Sequence, residues 1–361
     1  MGAVPLQFCG NRERHIMAHA ASPCHVSLRT LRLCVIFFSL VTLAATVTAA
    51  DSPKYPKLNL AATYDVEPSW PQRPAGIEWG HVSGIAVDKQ DQVWVFTRAT
   101  PPVQVYDAGG KFVRAWGEKH IKKAHHLKID PQGNVWVADI EEHLVMQFTP
   151  EGKLLREIGT RGQTGDDERH FNMPTDMAIT AAGDVFVSDG YGNNRVVQFG
   201  RDGKFIKSLG KLGVKPGDFS IPHAIAVDSK GRLYVADRNN GRVQIFESSG
   251  KVLDVWANVM TPWGLWITPQ DDIWVCGSSP TNWQRTEEFG VPPPDQLLMK
   301  FNPAGRPLDL MILPTGKEGQ EKSGELGWVH CIAVDSKGNI YLGDIQGKRA
   351  QKFVRRAPDV K

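Results

Sequence analysis

The chain has 361 residues, a formal net charge of +3, and 22% charged against 41% hydrophobic residues. That is ample for a large core and too evenly charged to require a polyanionic partner. Five cysteines are too few for a disulfide scaffold, and no basic cluster interleaved with aromatics points to nucleic acid.

The first fifty residues read as a leader. Arg29 and Arg32 precede an apolar run from Leu33 to about Thr48, which ends in Thr48-Ala49-Ala50 before Asp51. This is the pattern of a cleaved secretory signal, which makes the protein secreted or periplasmic. The run also approaches the roughly 18 residues that can span a bilayer, so the alternative is an uncleaved anchor holding an extracytoplasmic domain. The stretch before Arg29 is long for such a leader, which leaves initiation at Met17, or a polar tail, open. The leader takes Arg12, Arg14, Arg29 and Arg32 of the 42 basic residues and Glu13 of the 39 acidic ones, so the remainder is near neutral. Cys9, Cys24 and Cys34 go with it, leaving Cys276 and Cys331.

Residues 51–361 form one domain built on a repeat. Each unit reads x-x-Ala-Val-Asp, a turn, Val-Trp/Tyr-Val-x-Asp, a second turn, Arg-Val-Gln-x-Phe, and a last apolar run after a glycine turn. In chain order the units are SGIAVDKQDQVWVF from Ser83, AHHLKIDPQGNVWVADIEEHLVMQF from Ala124 and PTDMAITAAGDVFVSDGYGNNRVVQF from Pro174. PHAIAVDSKGRLYVADRNNGRVQIF from Pro222, WGLWITPQDDIWV from Trp263 and VHCIAVDSKGNIYLGDIQGKRAQKF from Val329 follow. Six units of roughly 40 to 50 residues, each with four strand-like segments, predict an all-β, six-bladed β-propeller. The sixth unit has no glycine turn or fourth apolar run. Its outer strand is expected from Lys57 to Val66, which would close the ring and cover the edge. Asp139, Asp189, Asp237 and Asp344, closing the second strand of four units, read as turn formers.

Aligned on their first strands, the units place Ser83, His125, Thr175, His223, Trp263 and His330 at one phase. Units two, four and six lie 120° apart in a six-fold ring, so His125, His223 and His330 converge on the central channel. Three imidazoles and an open position are the ligand set of a catalytic zinc site. His126 is one register off and reads as solvated or packing. Strand counting places the long connections Thr160 to Met173, Gly277 to Gln296 and Pro314 to Gly327 at the same mouth as the histidines. Arg98, Tyr191, Arg238 and Asp176 fall there too. A tyrosine can move a proton and arginine pairs a carboxylate, so these residues suit a substrate carrying that group.

The repeats resemble the NHL family of propellers. HFNMPTDMAITAAGDVFVSDGYGNNRVVQFGRDGKF (170 to 205) and PGDFSIPHAIAVDSKGRLYVADRNNGRVQIF (216 to 246) resemble the catalytic core of the peptidyl-α-hydroxyglycine α-amidating lyases. The likeness runs from about Ser83 to Phe353, strongest in units three and four and poor in five. It implies zinc on His125, His223 and His330, a catalytic Tyr191, and Arg98 and Arg238 at the pocket. Zinc would bind the carbinol oxygen of an N-acyl-α-hydroxyglycine, Tyr191 would remove its proton, and Arg98 would hold the carboxylate as amide and glyoxylate separate. The resemblance also implies a calcium deeper in the channel, held by the backbone carbonyls of Ile85 and Leu127. The family's Met-Pro-His-Asp is here Trp328-Val329-His330-Cys331. Trp328 therefore reshapes the substrate pocket, and Cys331 removes a calcium carboxylate that Asp176 could replace. Cys331 could alternatively ligate the metal. The family's cysteine pairs fall on Asn172, Gly192, Tyr234 and Ile245.

The expected function is thus a zinc-dependent carbon–nitrogen lyase acting on a small or peptide substrate with a carboxylate. A non-catalytic NHL module that binds peptide or protein partners is the alternative, as is a metal-dependent lactonase or esterase on the same fold.

Overall fold

The structure, a computed structural model, describes residues 64–257, 259–280 and 293–356. The leader and residues 57–63 lie outside the described residues, as does the 281–292 part of the loop in unit five. Six four-stranded antiparallel sheets form the six blades, and the helical content of the described residues is one 3-10 turn, Arg238–Asn240. The innermost strands are Val82–Val87, Ala124–Ile129, Asp176–Ile179, Pro222–Val227, Thr261–Ile267 and Val329–Val334. In the sixth blade the outer position is taken by Tyr64–Val66, which pairs antiparallel with Arg349–Arg355.

Burial explains the sequence pattern of the strands. The second strands, such as Val93–Thr97 and Leu233–Asp237, are packed by blades on both faces and read as unbroken apolar runs. The outer strands, such as Leu154–Ile158 and Phe205–Leu209, alternate because one face meets water.

The repeated aspartates do two different jobs. The aspartate closing the first strand folds the turn back on itself. Asp228 Oδ1 accepts from Lys230 N at 3.0 Å and Arg232 N at 2.8 Å, while Oδ2 accepts from the Tyr234 hydroxyl at 3.3 Å. Asp130 does the same for Gln132 N, Asn134 N and the Trp136 indole, and Asp335 for Lys337 N, Asn339 N and Tyr341. The aromatic of Val-Trp/Tyr-Val therefore has a polar reason as well as an apolar one.

The aspartate closing the second strand is more than a turn former. Asp139 accepts from Lys122 N, Asp189 from Asn172 N, Asp237 from Ser220 N and Asp344 from Gly327 N. Each donor lies three residues before the phase position of its own blade. These carboxylates thus fix the loop that delivers His125, Thr175, His223 or His330 to the channel. Asp237 also accepts from Asn240, Arg242 and Gln244, with Arg242 itself nearly buried. Asp237→Ala should cost about 3–5 kcal/mol, because it strands a buried guanidinium and several amides. An unfolding midpoint equal to that of the wild type would contradict this account.

Candidate metal centre

Five of the six innermost strands break their ladder at the phase position; in the third blade Thr175 stands just before a regular strand. Val82 pairs with Thr97 and Gly84 with Phe96, leaving Ser83 as the extra residue; His223, Trp263 and His330 are left out in the same way. In the second blade Ala124 pairs with Asp139 and Leu127 with Val137, so both His125 and His126 fall within the irregularity. A β-bulge re-aims its side chain and frees the local backbone from the sheet. Here that turns Ser83, His125, His223 and His330 out of their ladders toward the neighbouring blade. The approach is tight at the third blade, where a Cβ on Gly190 would lie 2.1 Å from the Pro222 carbonyl oxygen. Only glycine there lets the next residue, Tyr191, reach the fourth blade's histidine.

The three imidazoles stand as an equilateral triangle, with ring centroids 4.9 Å apart on every side. One nitrogen from each can be drawn from a set lying within 4.8 Å of one another. Each Nδ1 is already spent on the carbonyl of the next blade's phase residue. His125 reaches Thr175 O at 2.5 Å, His223 reaches Trp263 O at 2.7 Å and His330 reaches Ser83 O at 2.7 Å. A carbonyl can only accept, so Nδ1 carries the proton and Nε2 presents its lone pair inward. His330 Nε2 is buried with no hydrogen-bond partner. Neutral, pre-oriented imidazoles with one orphaned lone pair fit a divalent metal, and the triad could bind one.

The site is electrostatically set for neutral histidines. Burial lowers all three below the ordinary range, to about 3 for His330, where the Arg98 guanidinium is the next cause. For His125 the next causes are His126 and His330, and for His223 they are His125 and His330.

Tyr191 closes the triangle on one side, its hydroxyl 3.0 Å from both His125 Nε2 and His223 Nε2. Arg238 is buried beside Tyr191, and its guanidinium carbon lies 6.0 Å from the Trp263 ring. Arg98 is half-buried and donates from Nε to Ala124 O at 3.1 Å. The structure therefore brings together six of the seven residues expected at the mouth, the three histidines with Tyr191, Arg98 and Arg238.

Two expectations need correction, and one pair of alternatives is decided. His126 is buried, so it packs rather than being solvated, and it packs against the triad. The bulge turns it into the channel, where its ring lies 5.2 Å from that of His330 and its Nδ1 is 3.0 Å from His125 Nδ1. Asp176 is not at the mouth: it is wholly buried, 3.1 Å from Lys128 Nζ, and burial pushes its carboxyl up to about 6 against the pull of that ammonium. Cys331 is no metal ligand. It packs with Val82, Ile85 and Ala333 between blades six and one, its sulfur close to Gly343. Trp328 is buried and packs against Trp263, ring centroids 5.0 Å apart. The sequence reading missed His126 and Lys128. The second was visible, since Lys128 stands where Ala86, Ala178, Ala226 and Ala333 stand in other blades.

The NHL repeat model matches residues 171–199 and 219–246, within the third and fourth blades. Peptidyl-glycine alpha-amidating monooxygenase of Mus musculus is 37% identical over 206 residues, 48% of this chain and 21% of that protein. The chain thus spans about a fifth of that relative's length. Peptidyl-alpha-hydroxyglycine alpha-amidating lyase 1 of Drosophila melanogaster is 28% identical over 347 residues, covering 82% of this chain and 60% of the other. NHL repeat-containing protein 3 of Homo sapiens is 27% identical over 310 residues, covering 81% and 84%. A streptogramin B lyase structure superimposes with a TM-score of 0.53 at 14% identity, over 80% of this chain and 97% of that one, a likeness of fold alone. The chain carries NHL repeats on a six-bladed propeller and resembles the amidating lyase. The family's cysteine positions also fall together here: a Cβ on Gly192 would meet the Asn172 side chain, and Tyr234 pairs with Ile245 across strands.

Two outcomes follow. His223→Ala should abolish metal binding in elemental analysis while the propeller still folds; full occupancy in the variant would remove the triad as the site. The second concerns acid. A histidine with a depressed folded pKa binds its proton only on unfolding, so its contribution is complete above about 6.5 and is lost as pH falls. The buried carboxyls raised by burial, Asp176 among them, act in the opposite sense. The readable quantity is therefore the difference between metal-free wild type and His223→Ala. Wild type should lose more stability between pH 7 and pH 5, by up to about 1.4 kcal/mol per pH unit below 6.5. Parallel pH profiles would contradict it.

Proposed function

We propose that the chain is a zinc-dependent carbon–nitrogen lyase that converts an N-acyl-α-hydroxyglycine into an amide and glyoxylate. The observation that carries this reading is the triad itself: three Nε2 lone pairs turned inward, each imidazole fixed through Nδ1, with the Tyr191 hydroxyl 3.0 Å from two of them and able to donate to either. His125, His223 and His330 would hold the ion, and when bound it would supply Lewis acidity for a hydroxyl oxygen.

The chain's own residues account for the remaining work. Arg98, half-buried and close enough to His125 and His330 to act on both, suits the substrate carboxylate. Tyr191 relays the carbinol proton: its oxygen accepts that proton as its own passes to the amide nitrogen. The C–O bond becomes a carbonyl while the C–N bond breaks, so the proton lost from oxygen is regained by nitrogen and no redox partner is needed. Arg238, buried against Tyr191, positions the phenol and brings positive charge toward the oxygen. Behind its leader, the propeller would work outside the cytoplasm, free or anchored.

A binding role without catalysis is the second reading. It is favoured by the match to NHL repeat-containing protein 3 along most of both chains and by the Trp328 and Cys331 departures. The two readings separate in one experiment, glyoxylate release from α-hydroxyhippurate by the zinc-loaded protein. Wild type should turn over, and Tyr191→Phe should keep its metal yet fall by about 100-fold or more. Undiminished turnover in that variant removes Tyr191 from the mechanism. Metal binding with no turnover in wild type favours the binding module.

A further inference from the structure

Below the histidines the channel has a second polar layer that the proposed reaction does not use. Asp176, from the third blade's innermost strand, is completely buried. Its Oδ1 accepts from Met177 N at 2.9 Å and its Oδ2 from Ile225 N at 3.0 Å. Lys128 enters from the second blade, its side chain only 15% exposed, and places Nζ 3.1 Å from Asp176 Oδ2. The same ammonium donates to Leu265 O, in the fifth blade, at 3.3 Å. One side chain therefore ties three blades together across the axis.

Leu265 identifies the place. It pairs with Val275, as Ile85 pairs with Val95 and Leu127 with Val137, so all three occupy the same rung of their innermost strands. The carbonyls of Ile85 and Leu127 are those that family resemblance assigns to a calcium. The residues present do not fit one. The position of the expected carboxylate is Cys331, packed into the core, and the remaining carboxylate, Asp176, is already neutralised by an ammonium donating into that ring of carbonyls. A dication there would sit against Lys128 at close range in a medium of low dielectric, which is strongly repulsive.

We propose that Lys128 is the channel's own cation, an ammonium built into the chain that braces the axis in place of a calcium. It answers the same requirement: a buried carboxylate and inward carbonyls must meet positive charge or donors. The inference concerns the brace and stands whether or not the mouth of the channel is catalytic.

The test uses the full chain with its transition metal in place. Purified wild type should carry no calcium by elemental analysis. Its unfolding midpoint should not move when calcium is added, or when it is removed with a calcium-selective chelator. A bound calcium, or a midpoint that falls on chelation, overturns the proposal, and that measurement does not depend on any variant. Lys128→Met should unfold at lower temperature than wild type. It should also acquire a calcium response, a midpoint raised by about 2 °C or more in millimolar calcium, because it frees Asp176 and the carbonyls for a metal. Lys128→Met/Asp176→Asn should lose that response. A Lys128→Met protein as stable as wild type and indifferent to calcium would equally overturn the assignment.

Discussion

The innermost strand of a propeller blade has a neighbour on one side only, so one row of its backbone groups faces the axis with no sheet to satisfy it. In this chain the phase residues meet that need in sequence around the ring. Ser83 Oγ donates to Ala124 O, His125 Nδ1 to Thr175 O, Thr175 Oγ1 to Pro222 O, His223 Nδ1 to Trp263 O and His330 Nδ1 to Ser83 O. Each link runs from one blade to the next. The hydroxyls of Ser83 and Thr175 and the three imidazoles are thus members of one hydrogen-bonded belt. The belt holds the blades in register and, as a by-product of spending every Nδ1 outward, leaves three Nε2 atoms turned toward one another. Support of the fold and orientation of the candidate metal triad are the same set of bonds.

That dual role explains what could be read from the residues alone. The alternation of His125, His223 and His330 among six phase positions gave their convergence directly, because a side chain at a fixed phase of a repeated blade has a fixed place around the axis. Tyr191, Arg98 and Arg238 followed from counting strand ends. His126 did not, because strand alternation sends adjacent residues to opposite faces, and the bulge that cancels this rule has no mark in AHHLK. Asp176 was misplaced for a related reason: adjacency to a mouth residue says nothing about depth in the channel. Lys128 was legible in principle. An ammonium where four other blades carry alanine is a buried charge, and a buried charge has to have a partner. The partner, reached across the axis, is what a linear pattern cannot supply.

Seen along the axis, the polar layers alternate in their demand for positive charge. The guanidinium groups of Arg98 and Arg238 flank the top of the triad and, with burial, keep its histidines neutral and basic in the Lewis sense. His126 follows, buried and likewise held neutral, with Lys128 among the causes. Lys128 and Asp176 then cancel each other. Trp266 packs against the cores of blades one, two, five and six and narrows the far end, next to a depression of about 430 Å³ whose floor includes Lys128. An ammonium suits that lower layer better than an exchangeable ion, since it cannot dissociate toward the far mouth and its stem fills apolar space on the way.

The belt has one gap, and its position matters. Trp263 is the phase residue that makes no donor link in the described structure; its indole packs on Trp328 instead, and its Nε1 is buried without a partner. The fifth blade is also where the repeat pattern is poorest, while the NHL match covers blades three and four. Blades two to four carry His125, Thr175, Tyr191, His223, Arg238, Lys128 and Asp176, whose bonds require particular backbone atoms at particular places. The wall formed by Trp263, Trp328, Cys276 and Leu326 is held by packing, which tolerates any apolar set of suitable volume. The departures from the amidating-lyase pattern that the chain resembles, at Trp328 and Cys331, fall in that packed wall and in the apolar core beside it. They leave the belt's last link, from His330 to Ser83, intact.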